Sequence, residues 1–140
     1  MIQFPRAAYD TLVKQAYQSD QEEACGLLGG TFDASSSVVE SVHPAENVAS
    51  VPEIRYAINP EEQLRLTEDI EAAGQEVIGF FHSHPAGGSN PSETDRERAT
   101  WPGRSYVIVS LDGYPYVGSW RWQGADERFE QEIVRIEQRR

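Results

Sequence analysis

The chain has 140 residues, 39% of them apolar, and sets 23 acidic against 12 basic residues for a net charge of −11. That length suits one ordinary domain spanning 1–140, since a chain of this size buries roughly 68–70% of its unfolded surface on folding. The charge excludes nucleic acid as a partner, because displacing a polyanion's counterions needs basic patches and Lys14 is the sole lysine. The acids are scattered along the chain, as on a solvated acidic surface.

The start, Met1-Ile2-Gln3-Phe4-Pro5, lacks the basic residues and apolar stretch of a signal peptide. No apolar run approaches the ~20 residues of a membrane span, so the expected location is cytoplasmic, with no membrane partner. Over residues 5–18 the apolar positions Ala8, Leu12, Val13 and Ala16 follow helical spacing, with Pro5 suited to a first turn. Residues 24–32 are apolar and glycine-rich, which predicts a buried strand that other backbone approaches closely. Within it Cys25, the only cysteine, excludes an intramolecular disulfide and any multi-cysteine zinc cluster. Ser35-Ser36-Ser37 reads as a hairpin turn between residues 26–32 and 38–42.

Residues 54–58 alternate as a strand, and Asn59-Pro60 opens a helix with Leu64, Leu66 and Ile70 as its buried side, ended by Gly74. Residues 76–81 form a strand that delivers His82 and His84. A loop over 86–91 and a short helix over 92–100 follow. Residues 106–111 and 116–122 are strands separated by the turn signal Asp112-Gly113. Residues 128–137 fit neither period and are read as one strand. Strands in consecutive runs predict an α+β class with a mixed, largely antiparallel sheet flanked by helices.

Chemistry concentrates at His82-Ser83-His84-Pro85, followed by Ser92 and Asp95. Side chains alternate along a strand, so two imidazoles one residue apart project from the same face and can share one ion. Asp95 supplies a third ligand, leaving a fourth tetrahedral position for water, as catalytic zinc requires. A metal-activated water also needs a proton acceptor, and Glu22, Glu23, Glu76 and Glu93 are candidates. Ser92-x-x-Asp95 equally fits a helix capping box. Cys25 as a nucleophile is a different chemistry, disfavoured because a small thiol in an apolar run is usually inert. Cupin and metallo-β-lactamase sites share His-x-His but need a further His, and none follows His84. His43 sits at a strand edge and is assigned no role.

Taken together, Glu23-Ala24-Cys25-Gly26-Leu27-Leu28-Gly29-Gly30 and His82-Ser83-His84-Pro85, six residues, Ser92, two residues and Asp95 resemble the JAMM (MPN-plus) metalloproteases. The likeness runs from the first helix to the strand at 116–122. It implies the cytidine deaminase-like fold of that family and one Zn²⁺ held by His82, His84 and Asp95. It further implies Glu23 as the general acid/base and Ser92 as a hydrogen-bond donor to the oxyanion. A proline often found shortly before the family's acid is replaced here by residues such as Asp20, which touches a turn rather than the chemistry.

The resemblance also implies a substrate. Such enzymes hydrolyse amide or isopeptide bonds after the Gly-Gly tail of ubiquitin-like proteins, and in a compact form the counterpart is a β-grasp sulfur-carrier protein. An extended glycine tail suits a narrow cleft, here expected between residues 51–59 and the loop 86–90. Two other readings share the fold or the site: a non-catalytic scaffold, which would lack some ligands, and a metal-dependent hydrolase of small amides.

Overall fold

The computed structural model describes residues 1–19, 21–112 and 116–137, so Asp20 and the Gly113 of the expected turn lie outside the described residues. One eight-stranded sheet carries three helices, in the order β1 (Ile2–Pro5), α1 (Arg6–Gln18), β2 (Cys25–Thr31), β3 (Ser37–Ala45), α2 (Pro60–Ala72), β4 (Glu76–His84), α3 (Glu93–Arg98), β5 (Ser105–Ser110), β6 (Tyr116–Gln123), β7 (Arg128–Glu132) and β8 (Val134–Glu137). Across the sheet the strands lie β7-β6-β5-β4-β2-β3-β1-β8. The expected α+β class and mixed, largely antiparallel sheet are borne out: β2 pairs antiparallel with β3 and β4, β5–β6–β7 form a meander, and the parallel pairs are β1–β3, β1–β8 and β4–β5. Among the described residues, no helix is long and apolar enough to cross a membrane.

Each face of the sheet buries its own cluster. Leu28, Ile78, Phe81 and Val107 pack beneath α1 with Phe4, Leu12 and Ala16. Leu27, Phe80 and Tyr106 point the other way, onto Leu66 and Ile70 of α2. The alternation in β4 therefore puts His82 and His84, two and four residues beyond Phe80, on the α2 face.

Four expectations need correction. Leu64 is 60% exposed, because Leu66 and Ile70 lie one turn apart while Leu64 stands two residues before Leu66, on the opposite side of the helix. Residues 54–58 form no strand. They belong to a strap between β3 and α2 whose backbone bonds to the Asn47 side chain instead of a ladder, leaving Ile54 62% exposed. Residues 128–137 divide at Ile133 into β7 and β8, which occupy opposite edges of the sheet. The division follows from curling, which brings the edges together around Glu132. Its carboxylate takes hydrogen bonds from Ser105 Oγ (2.6 Å), Ser119 Oγ (2.7 Å) and Arg121 Nε (2.8 Å) and an ion pair from the Met1 ammonium (3.1 Å). Finally, β1 has no counterpart in the sequence reading, since four residues are too few to display a period. Pro5 consequently precedes α1 as its N-cap rather than lying in its first turn.

The glycine-rich β2 is a buried strand, as expected, with β2 and β3 forming the hairpin around Ser35 and Ser36. Close backbone approach is real at Gly26, Gly30 and Gly79, Gly30 lying against the Val38 carbonyl. A Cβ on Gly26 would collide with the His43 carbonyl and the Phe81 ring, and one on Gly79 with the Ser105 carbonyl. Because backbone cannot yield as a flexible side chain can, Gly79→Ala is expected to cost about 1–3 kcal/mol. Chemical denaturation checks it, with a lowered midpoint as the expected outcome.

Candidate metal centre

Three segments of the chain, the first of them distant in sequence from the other two, meet at the end of β4. In the β2–β4 ladder Cys25 pairs with His82, and Ala24 and Ser83 exchange bonds beyond it: Ser83 N donates to the Ala24 carbonyl (3.0 Å) and Ala24 N to Ser83 Oγ (2.8 Å). Continuing that register sets Glu23 beside His84. The third segment is α3. Ser92 caps it by accepting from Asp95 N (3.0 Å), while Ser92 N donates to Asp95 Oδ2 (2.8 Å). The expected capping box and the candidate ligand are thus one structure. The cap holds the Asp95 carboxylate with Oδ2 turned to the histidines.

The resulting triangle is tight. His82 Nε2 and His84 Nε2 are 3.3 Å apart, and Asp95 Oδ2 lies 3.1 Å from the first and 3.2 Å from the second. Ligands about 2.0–2.1 Å from a tetrahedral ion are separated by about 3.3 Å, so these edges match a zinc-sized cation. Tautomer chemistry agrees. His84 Nδ1 lies 2.7 Å from the Gly88 carbonyl, which can only accept, so Nδ1 carries the hydrogen and the Nε2 lone pair faces inward. Burial lowers the pKa of His82, with the Asp95 carboxylate opposing it. For His84 burial also works downward but is outweighed by Asp95 and the Gly88 carbonyl, for a net rise. Burial would raise Asp95, yet the two adjoining imidazoles and a hydrogen bond from the Ser92 N–H hold it well below the usual carboxylate range.

Of the four acidic candidates, Glu22, Glu76 and Glu93 are exposed and Glu23 is 4% exposed. Glu23, His82 and His84 each offer a ligand atom within 4.8 Å of the others. Glu23 Oε1 is buried with no hydrogen-bond partner, and its pKa is pushed up to about 7, chiefly by burial and further by Asp95, against the pull of His84. Cys25 is buried behind this group with its thiol pushed up to about 12, by burial first and then by Glu62 and Glu23. A thiol so hard to ionise is a poor nucleophile.

Two participants escaped the sequence reading. Tyr56 stacks on His82, ring centroids 4.5 Å apart. Asn47 organises the strap that carries Tyr56. Its Nδ2 donates to the carbonyls of Glu23 (2.9 Å) and Arg55 (3.0 Å), and its Oδ1 accepts from Ala49 N (3.0 Å) and Ala57 N (3.1 Å). With Glu23 N donating to the Pro52 carbonyl (2.8 Å), the strap grips the Glu23 backbone on both sides. An asparagine in a coil of small and charged residues carries no periodic signal that would have marked it.

Two histidines, a capped aspartate and a buried glutamate thus meet at the end of one central strand of a curled mixed sheet. The chain belongs to the prokaryotic homologs of the JAB domain, whose family pattern matches residues 5–123. It is 47% identical over 98 residues to the desampylase of Haloferax volcanii, covering 70% of this chain and 69% of that one. To the CysO-cysteine peptidase of Mycobacterium tuberculosis it is 34% identical over 101 residues, 72% of this chain and 67% of that one. Among solved structures, a protein from Desulfitobacterium hafniense superposes with a TM-score of 0.87 at 32% identity, covering 99% of this chain and 94% of that one. A JAB1/MPN domain protein from Archaeoglobus fulgidus shares the fold, with a TM-score of 0.61 at 18% identity over 99% of this chain and 98% of that one. Family membership and the buried Glu/His/His cluster together point to a metal site.

Two measurements check this geometry. In metal-free protein the Glu23 carboxyl should titrate near 7 and move downward when a divalent cation binds, because a neighbouring cation favours the carboxylate. Carbon-detected NMR of the side-chain carboxyl reads the change, and an unmoved titration would place the cation elsewhere. Asn47→Ala leaves several strap carbonyls and amides unpaired and should destabilise by about 1–3 kcal/mol, measured by thermal unfolding.

Proposed function

We propose that the chain is a zinc-dependent peptidase or isopeptidase that hydrolyses the amide bond after the Gly-Gly tail of a ubiquitin-like or β-grasp sulfur-carrier protein. The observation that carries it is the convergence of His82, His84 and Asp95 within 3.3 Å of one another beside a buried, unpartnered Glu23 oxygen. The ubiquitin-like kind of partner draws on relatives named desampylase and CysO-cysteine peptidase. Two imidazoles and a carboxylate suit zinc among the common divalent ions. All of residues 1–140 act as one catalytic domain in this reading.

His82, His84 and Asp95 are the residues that would hold the ion. Bound there, zinc lowers the pKa of water towards 7 and polarises a carbonyl oxygen. The remaining work falls to the chain's own groups. Glu23, buried but ionisable near neutral pH, accepts a proton from the attacking water at its carboxylate oxygen and returns it to the amine nitrogen as the C–N bond breaks. Ser92 supplies a hydroxyl hydrogen bond to the oxyanion, a contact worth about 3 kcal/mol where the donor is preorganised. Its oxygen accepts from Asp95 N and leaves its own hydrogen available to donate. Residues 51–59 and 86–90 border the histidines through Tyr56 and Gly88 and are suited to flank the extended tail.

The test is cleavage of a carrier protein joined through its terminal glycine to an amine, followed by mass spectrometry. Glu23→Gln should lower kcat by about 10²–10⁴-fold while zinc content is kept. Chelation should abolish turnover and added zinc restore it, whereas thiol alkylation leaves it intact. Full cleavage by a zinc-loaded Glu23→Gln protein would count decisively against the role of Glu23.

A further inference from the structure

Ser83 stands between the two histidines of β4 and points the other way. Phe81, two residues before it, and Val109, its partner on β5, both belong to the apolar cluster beneath α1, so the Ser83 side chain enters that layer and is fully buried. A hydroxyl in such a layer costs free energy unless it is hydrogen-bonded, and an apolar side chain would fill the position without that demand. The bond it makes is to the segment carrying the acid: Ala24 N donates to Ser83 Oγ at 2.8 Å. That bond departs from the ladder pattern. Ser83 N donates to the Ala24 carbonyl at 3.0 Å, which marks the two as a hydrogen-bonded antiparallel pair, and in such a pair the return bond runs from the Ala24 amide to the Ser83 carbonyl. Here a side chain takes the place of the main-chain acceptor, one residue before β2 begins at Cys25.

We propose that Ser83 is a positioning residue for Glu23, its hydroxyl fixing where the Glu23–Ala24 peptide leaves the sheet and so how far the acid stands from the two imidazoles. Its catalytic consequence rests on the peptidase reading above. Glu23 Oε1 has no hydrogen-bond partner, so the placement of that oxygen follows from the main chain. The strap holds the Glu23 N–H through the Pro52 carbonyl and the Glu23 carbonyl through Asn47 Nδ2. Ala24 is the tie to the histidine strand, its carbonyl through Ser83 N and its amide through Ser83 Oγ. Only the second of these bonds reaches the peptide unit to which Glu23 itself belongs. Removing that oxygen frees the Ala24 amide to turn towards another acceptor and to carry Glu23 with it. A misplacement of about 1 Å between reacting groups can cost about 10²-fold in rate.

Three substitutions separate bonding from packing. Ser83→Ala removes the acceptor, Ser83→Cys fills the same space with a weak one, and Ser83→Thr keeps the hydroxyl. In zinc-loaded protein, Ser83→Ala and Ser83→Cys should lower kcat on a carrier conjugate by about 10–100-fold with KM and zinc content little changed, and Ser83→Thr should retain most of the wild-type rate. A second readout needs no turnover. With Co²⁺ bound in place of zinc, paramagnetic relaxation of the Glu23 side-chain carboxyl carbon depends steeply on its distance from the ion. That relaxation should change in the Ser83→Ala and Ser83→Cys proteins and hold in Ser83→Thr. Should Ser83→Ala fail to fold, the contrast between Ser83→Cys and Ser83→Thr decides. Relaxation that is the same in every folded variant overturns the proposal, as does a displaced carboxyl with kcat unmoved. If the wild type cleaves no conjugate while relaxation follows the hydroxyl, the peptidase reading fails and the positioning role stands.

Discussion

Electron pairs converging on one point are the constraint around which the molecule is organised. With the hydrogen of His84 committed at Nδ1 to the Gly88 carbonyl, its Nε2 faces Asp95 Oδ2 and His82 Nε2, all within 3.3 Å. Such a cluster repels itself unless positive charge sits at its centre: a shared proton in the metal-free protein, a cation in the loaded one. The surrounding structure must therefore hold the groups together against their own electrostatics. It does so with contacts that lie outside the triangle, the β2–β4 ladder on one side and the cap of α3 on the other.

The supports differ in kind. Histidine placement is a matter of sheet packing, because β4 is central and buried along nearly its whole length. Asp95 depends on a local motif of four residues, with Oδ2 shared between the Ser92 amide and both imidazoles. Glu23 draws on the sheet register and on a further support. It lies beyond the end of β2 and is held by main-chain bonds to the Asn47–Ala57 strap, so that its side chain is left buried and unpartnered. An acid that keeps a free oxygen and a pKa near 7 needs this arrangement, since a side-chain partner would pull its pKa down. The strap also lays Tyr56 on His82, so the acid and one imidazole of the candidate centre are steadied by the same segment.

What was legible in the chain was local. The apolar run over residues 76–81 announced a strand and with it that His82 and His84 share a face, the Ser92-x-x-Asp95 spacing announced a cap, and glycines in residues 24–32 announced close approach. Three acidic alternatives to Glu23 fell away once burial was known, because exposure is a property of the folded sheet and leaves no mark on composition. The strap misread as a strand illustrates the converse. Residues 54–58 alternate, but the Arg55 carbonyl and Ala57 amide bond to the side chain of Asn47, and no period reports such a partner.

The amino-acid sequence by itself determined which groups could meet a cation: two imidazoles on one pleat, a carboxylate in a helix cap, and residue types whose chemistry suits zinc. Tertiary structure alone decided how they meet. The Cys25–His82 register carries Glu23 across sixty residues of chain to the histidines, and the Glu132 cluster curls the sheet so that β7 and β8 part to opposite edges. Both depend on long-range pairing, whose free energy is shared among many contacts distant in sequence. No local window contains that sum, so only the folded chain expresses it.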